Sequence, residues 1–249
     1  MPSVESANAY IDLESVELSG SMIHNRFTVI IPAYNEINRI KPVMNELVSF
    51  VEDNDLNWKV IVTIEGNDGT YDLIKDMSLK HSFILPLKGN GRDGKGSAVK
   101  RGVTIADGDY IILMDADGSI ALNDIVSTLD LLDINDVIVF DRYRHPENFI
   151  PLRRRIPSRG FNKLLRGIIG IKINDTQCGY KVMKTEEAKR VFNRISVTNT
   201  FFDVALSYYL KEHKLKVAEI PVKYHHSVGS KFNIIGEVIG QGVSLVAFR

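Results

Sequence analysis

Five short apolar runs rich in β-branched residues, each followed by a segment long enough for a helix, constrain this chain more than any other feature. The runs cover 27–32, 58–64, 83–87, 110–114 and 137–140. Between them, 40–51, 73–79 and 97–105 carry apolar residues at helical spacing. Runs without polar alternation belong to strands covered on both faces, so the pattern predicts repeated βαβ units and a mostly parallel central sheet flanked by helices. With 249 residues and 44% hydrophobic composition, one main domain is expected.

Charge and cysteine content narrow the function. Lys plus Arg and Asp plus Glu both total 31, which argues against a nucleic-acid partner whose binding would rest on neutralised phosphates. The single cysteine, Cys178, can form neither an internal disulfide nor a zinc site alone and fits a reducing, cytoplasmic setting. No run reaches the roughly 18 apolar residues of a spanning helix, and the N-terminus lacks a basic-then-apolar leader, so membrane contact is expected to be peripheral. Residues 1–25 read as a loosely ordered extension, 26–231 as the catalytic domain and 232–249 as an amphipathic helix. Within the domain, 26–120 forms the nucleotide half and 121–231 the acceptor half.

In an open α/β sheet the ligand lies beyond the carboxyl ends of the strands, so the residues after each run carry the chemistry. They are Pro32-Ala33-Tyr34-Asn35-Glu36, then Glu65-Gly66-Asn67-Asp68-Gly69-Thr70, then Lys88-Gly89-Asn90-Gly91-Arg92-Asp93-Gly94-Lys95-Gly96, and finally Asp115-Ala116-Asp117-Gly118. Asn35, Asp68 and the glycines are also ordinary capping and turn residues. Two carboxylates two residues apart, separated by a small residue, can both approach one hard cation, and magnesium or manganese there would bridge diphosphate oxygens.

This ordered series resembles family 2 glycosyltransferases of the GT-A fold. The resemblance implies that Pro32, Ala33, Tyr34, Glu36 and Asp68 line the base and ribose pocket with Lys95 close by. It also implies that Asp115, Ala116 and Asp117 handle the metal and the diphosphate. Asn67 stands where the family usually has a first aspartate, and Glu65 could restore that charge or face the core. The run Asn174-Asp175-Thr176-Gln177-Cys178-Gly179-Tyr180-Lys181 resembles the corresponding element of dolichyl-phosphate hexosyltransferases, especially the glucosyl branch. There Gln177 joins Asp115 and Asp117 at the metal. The donor implied is UDP-glucose or GDP-mannose, with glucose favoured.

The same resemblance implies a lipid-phosphate acceptor. A phosphate is already anionic and needs no strong base; it needs arginines, whose fork matches phosphate. Arg142 matches one family phosphate contact, and Arg154 with Ser158 the second, although Arg153, Arg154 and Arg155 compete for that role. Between Leu152 and Ile173 lie seven basic residues and no acidic ones, with apolar residues at helical spacing, as in a basic amphipathic segment at a membrane surface. Residues 232–249 read as a second interfacial helix, with core packing, a homodimer contact or recruitment by a membrane protein left open. Asp203 aligns with an acceptor-side carboxylate, and its other readings are orienting the sugar or an arginine, or capping a helix. Glu219-Ile220-Pro221-Val222, continuing through His225 and His226 to Gly229-Ser230-Lys231, resembles an element closing over the diphosphate, with one of the two histidines near it. The implied reaction is a direct, inverting displacement on the sugar. The rivals are a hydroxyl acceptor with Asp203 as base, a nucleotidyltransferase and a non-catalytic sugar-nucleotide binder.

Overall fold

The computed structural model describes residues 22–148, 160, 165, 167 and 170–225. The readings made on residues 1–21, on most of the basic segment including Arg154 and Ser158, on His226 and on 232–249 lie outside them. Five strands follow the predicted runs: β1 (Phe27–Tyr34), β2 (Lys59–Glu65), β3 (Ile84–Lys88), β4 (Tyr110–Leu113) and β5 (Val137–Asp141). Helices α1 (Ile37–Asp53), α2 (Thr70–Ser78), α3 (Lys95–Ile105) and the short α4 (Leu122–Val126) alternate with them. Two further strands, β6 (Lys181–Lys184) and β7 (Val217–Pro221), bracket helices α5 (Thr185–Phe192) and α6 (Phe202–Glu212).

The seven strands form one sheet in the order β3-β2-β1-β4-β6-β5-β7. β1 pairs parallel with β2 and β4, and β2 with β3, so the ends of β1 and β2 coincide at Tyr34 opposite Glu65. β6 alone runs against its neighbours, with Leu113 opposite Lys181 and Val139 also opposite Lys181. That reversal matters for function. The start of β6 lies beside the carboxyl ends of β4 and β5, which delivers the turn before it, 174–180, to the edge where Asp115 emerges.

Alternation along the strands divides the core between the two faces. Val29, Ile31 and Ala33 of β1 pack with α1 residues such as Met44 and Leu47, while Ile30 faces Val99 and Val103 of α3 and Phe202 and Leu206 of α6. Burial on both faces is what the non-alternating apolar runs require. Leu165, Ile171, Phe201 and Val204 form a smaller cluster at the start of α6.

Candidate active site

The loops after β1 and β2 are locked together by polar side chains. Asn35 adopts a left-handed φ of 54° and its Oδ1 accepts the N–H of Asn67 at 2.9 Å. Asp68 accepts the N–H of Ile37 at 3.0 Å, the N–H of Thr70 at 3.0 Å and the Thr70 hydroxyl at 2.5 Å. Thr70 Oγ1 in turn accepts the N–H of Glu36 at 3.0 Å. Asp68 therefore satisfies otherwise orphaned donors at the first turns of both α1 and α2. Burial alone would push its carboxyl up, but the Thr70 hydroxyl and the two N–H groups outweigh burial and hold it below its ordinary range.

Glu36 lies beside this lock, with its carboxylate in a two-point contact with Arg39 at 2.7 and 2.6 Å. Burial raises its pKa against the pull of Arg39, and the charges of Asp117 and Asp115 add to the rise, so Glu36 shares the field of the aspartate pair. Tyr34 is 42% exposed, and the Arg92 guanidinium stands 4.7 Å from its ring centre. Arg92 escaped the sequence reading because nothing in its loop marks it out from the other basic residues. Pro32 is half-buried. Ala33 and Ala116, expected in the pocket lining, are buried in the core at 3% and 5% exposure, so neither presents appreciable surface to a ligand. Glu65 is buried and paired with Arg101 at 2.8 Å, so it does not restore the charge that Asn67 lacks.

At the end of β4, Asp115 Oδ1 accepts a hydrogen bond from Lys95 Nζ at 2.7 Å. Burial would raise the Asp115 carboxyl, but the Lys95 charge and hydrogen bond prevail and lower it. Burial would likewise lower Lys95, yet Asp115, Asp203 and Asp117 together raise it well above its ordinary value. Lys95 opens α3, and Gly96 after it must lack a side chain, because a Cβ there would come 2.8 Å from the Val197 carbonyl oxygen and 2.9 Å from Phe202. Asp117 Oδ1 accepts the N–H of Ser119 at 3.1 Å. Gly179 also meets Asp115, so closely that a Cβ would lie 2.1 Å from Oδ2. Tyr180 adds a long hydroxyl contact to the Asp115 carbonyl at 3.4 Å.

Gln177 is half-buried, two residues before Gly179 in the same turn. Among the described residues no group of three or more His, Cys, Asp or Glu side chains that could hold a metal ion is present. By donor chemistry, two carboxylates and an amide are hard oxygen ligands of the kind magnesium or manganese takes alongside water and substrate phosphates.

The part of the sheet edge beyond β5 is built from paired charges. Arg142, following β5, binds Asp175 through Nε at 2.7 Å and Nη2 at 3.0 Å, while its backbone N–H reaches the same carboxylate at 3.2 Å. Asp175 is fully buried. The guanidinium lies 5.4 Å from the ring centre of Tyr224 and 5.9 Å from that of Tyr143. Glu219 of β7 holds the turn by accepting from Asn174 N–H at 2.5 Å and Asn174 Nδ2 at 2.6 Å. The His225 N–H donates to the Ser119 carbonyl at 2.8 Å, which places the segment after β7 against the loop carrying Asp117.

Asp203 departs from two of its sequence readings, the arginine partner and the helix cap. It belongs to the first turn of α6 but makes no side-chain cap there, and its partner is Lys181, not an arginine: Oδ1 accepts from Nζ at 2.6 Å with both side chains buried. The residues that sequence reasoning missed, Asp175, Gly179, Tyr180 and Lys181, all belong to the run from which only Gln177 was singled out. Their signal was the whole motif, not any one residue.

The chain is 32% identical over 238 residues to a dolichyl-phosphate beta-glucosyltransferase of Trichomonas vaginalis, covering 88% of this chain and 69% of that protein. It is 29% identical over 272 residues to the Dictyostelium discoideum protein of that name, covering 99% and 83%. For the human one the identity is 28% over 249 residues, with 90% and 75% covered. Among solved structures, glucosyl-3-phosphoglycerate synthase of Mycobacterium tuberculosis in complex with Mn2+, UDP and glucosyl-3-phosphoglycerate superposes with a TM-score of 0.68 at 15% identity, covering 97% of this chain and 85% of that one. Mannosyl-3-phosphoglycerate synthase of Rubrobacter xylanophilus gives 0.67 at 16%, with 90% and 74% covered. The shared fold is the GT-A fold expected from the sequence. The family model described as glycosyl transferase family 2 matches residues 28–192, from β1 through α5, and so spans the loops that carry Tyr34, Asp68, Lys95, Asp115, Asp117 and Gln177: the chain belongs to glycosyl transferase family 2.

Proposed function

We propose that this chain transfers glucose from UDP-glucose to dolichyl phosphate, with inversion at the anomeric carbon, at the cytoplasmic surface of a membrane. The observation that carries the reading is the meeting of two charge systems at one sheet edge. Lys95 with Asp115 and Asp117 ends the nucleotide half, and Arg142 with Asp175 faces it from the acceptor half. The names of the relatives supply the acceptor and the sugar, and the Mn2+ and UDP bound by the solved neighbour favour UDP-glucose over GDP-mannose.

Asp115, Asp117 and Gln177 would hold magnesium or manganese, which when bound supplies Lewis-acid stabilisation of the departing diphosphate. Tyr34 offers an exposed aromatic face for the base. Asp68 and Glu36 keep the loops beneath it in place. Lys95 stays protonated and offsets charge as the nucleoside diphosphate leaves. The acceptor phosphate is already a nucleophile, so the protein's task is to hold it in line. Asp175 fixes the plane of the Arg142 guanidinium through Nε and Nη2, and its remaining donors are offered to that phosphate together with Arg154 and Ser158. Among the described residues no helix is long and apolar enough to cross a membrane. The basic segment between Leu152 and Ile173 and the apolar-rich stretch 232–249 would provide surface attachment.

The test is a transfer assay with purified protein, short-chain polyprenyl phosphate and labelled UDP-glucose or GDP-mannose, with magnesium, manganese or chelator. Metal-dependent passage of glucose label into the organic phase, with UDP released, is the expected result. Label appearing on a hydroxyl acceptor, or release of pyrophosphate, overturns the assignment.

A further inference from the structure

We infer that Lys181 and Asp203 form an internal brace that holds the 178–180 turn against Asp115, and that Asp203 serves the reaction through this brace as a positioning residue and not as a proton acceptor. The inference rests on the function proposed above for the identity of the reaction, and on geometry alone for the brace.

Lys181 Nζ donates to the Cys178 carbonyl oxygen at 2.5 Å and to Asp203 Oδ1 at 2.6 Å. Lys181 is 1% exposed and Asp203 4%. One ammonium thus joins the first turn of α6 to the carbonyl that immediately precedes Gly179. Gly179 is the residue whose backbone seats the Asp115 carboxylate, with room for no Cβ. Lys95 also holds this carboxylate, 2.7 Å from Oδ1, and the Lys95 ammonium lies 5.9 Å from the ring centre of Phe202, the neighbour of Asp203. Asp115 is therefore held by two supports, and both converge on the start of α6.

A buried ammonium with a carbonyl and a carboxylate on it is compensated, and removal of either partner leaves a charge without its counterpart. The displaced element would be the turn under Asp115. Asp203, meanwhile, has one oxygen occupied by Lys181 and almost no surface through which to meet an acceptor. Groups that orient metal ligands from behind typically change metal affinity or activity by roughly 10–100-fold when removed.

The experiment is a double-mutant cycle on the full chain with two readouts. Lys181→Met, Asp203→Asn and the double variant are compared with wild type for Mn2+ binding in the presence of UDP, followed by electron paramagnetic resonance, and for kcat and KM with UDP-glucose and polyprenyl phosphate. Circular dichroism and melting restrict the comparison to folded variants. The brace predicts that each single change weakens Mn2+–UDP binding by roughly tenfold, that the double change costs no more than the worse single, and that Lys181→Arg restores part of the loss. Wild-type Mn2+–UDP affinity in Asp203→Asn with turnover abolished, whether or not Lys181→Met is also present, overturns it and places Asp203 on the reacting atoms. If Lys181→Met does not fold, Lys181→Arg and Asp203→Asn carry the same comparison. Failure of the acceptor assignment is separately visible, because wild type then transfers no label to lipid phosphate while the Mn2+–UDP cycle still reads the brace.

Discussion

The carboxylate of Asp115 rests on the backbone of Gly179, 64 positions along the chain, so tightly that a methyl group at Gly179 would stand 2.1 Å from Oδ2 and 2.4 Å from Oδ1. Relief of such an overlap requires the Asp115 carboxylate to shift from the position in which Lys95 meets it at 2.7 Å. Gly179→Ala is expected to displace Asp115 and weaken Mn2+–UDP binding by roughly tenfold or more, with an overpacking cost of about 1–3 kcal/mol. Titration of Mn2+ with UDP, alongside urea unfolding, separates the two effects. Binding and stability both at wild-type level would mean that the turn moves freely.

Asp68 predicts a different signature, because its carboxylate holds two helices. Loss of its bonds to Ile37, Thr70 N–H and the Thr70 hydroxyl in Asp68→Ala is expected to cost about 1–3 kcal/mol and to raise the KM for the donor. The folded-state pKa lies below the ordinary value of 3.8, so the contribution is fully present above that value and lost as the pH falls through the folded value. Urea midpoints at pH 7 and in acid, for wild type and Asp68→Ala, should converge as the pH falls.

The boundaries of α1 show what local sequence could and could not convey. Its periodicity begins to register at Ile40, but the helix starts at Ile37, because its first free N–H is received by Asp68, 31 residues away. Five strands were legible from apolar runs, although the edge strand β3 is buried only at Ile84 and is not covered on both faces as its run predicts. β6 was not, since Lys181–Lys184 offers four residues with a lysine at each end, and its reversed direction is a property of the sheet. The site was legible where residues cluster in a loop, as in Asp115-Ala116-Asp117-Gly118. It was opaque where function depends on pairing across the chain: Glu65 with Arg101, Arg142 with Asp175, and Lys181 with Asp203 are separated by 36, 33 and 22 positions.

Cys178 tests the burial of the turn without touching catalysis. Burial pushes its thiol from an ordinary 9.0 up to about 12, against the nearby charge of Arg142. At pH 7–9 the thiol is expected to stay protonated and to resist maleimide or a disulfide reagent until the protein unfolds. Because the folded value is the raised one, the associated stability is complete below the unfolded thiol's pKa and declines as the pH rises towards 12. Labelling rates with and without denaturant measure the protection directly. Fast labelling of native protein at neutral pH would contradict the buried turn.

The Arg142 and Asp175 pair gives the sharpest test of the acceptor side, because its two members are predicted to fail differently. Asp175 is fully buried and the Arg142 side chain 20% exposed, so Asp175→Ala leaves an arginine partly desolvated without its counter-charge and is expected to cost about 3–5 kcal/mol. Burial would lower the Arg142 pKa, yet the charge and hydrogen bond of Asp175 raise it well above the ordinary value, so the guanidinium is charged throughout the neutral range. Arg142→Lys keeps the charge and part of the contact but loses the two-point fork that sets the plane of the group. If the remaining donors of Arg142 hold the acceptor phosphate, this variant should raise the KM for polyprenyl phosphate or lower kcat by roughly 10–100-fold, the scale of about 1.4–2.7 kcal/mol, with UDP affinity unchanged. An equal loss of UDP affinity would place Arg142 on the donor, and unchanged kinetics would leave it a purely structural partner of Asp175.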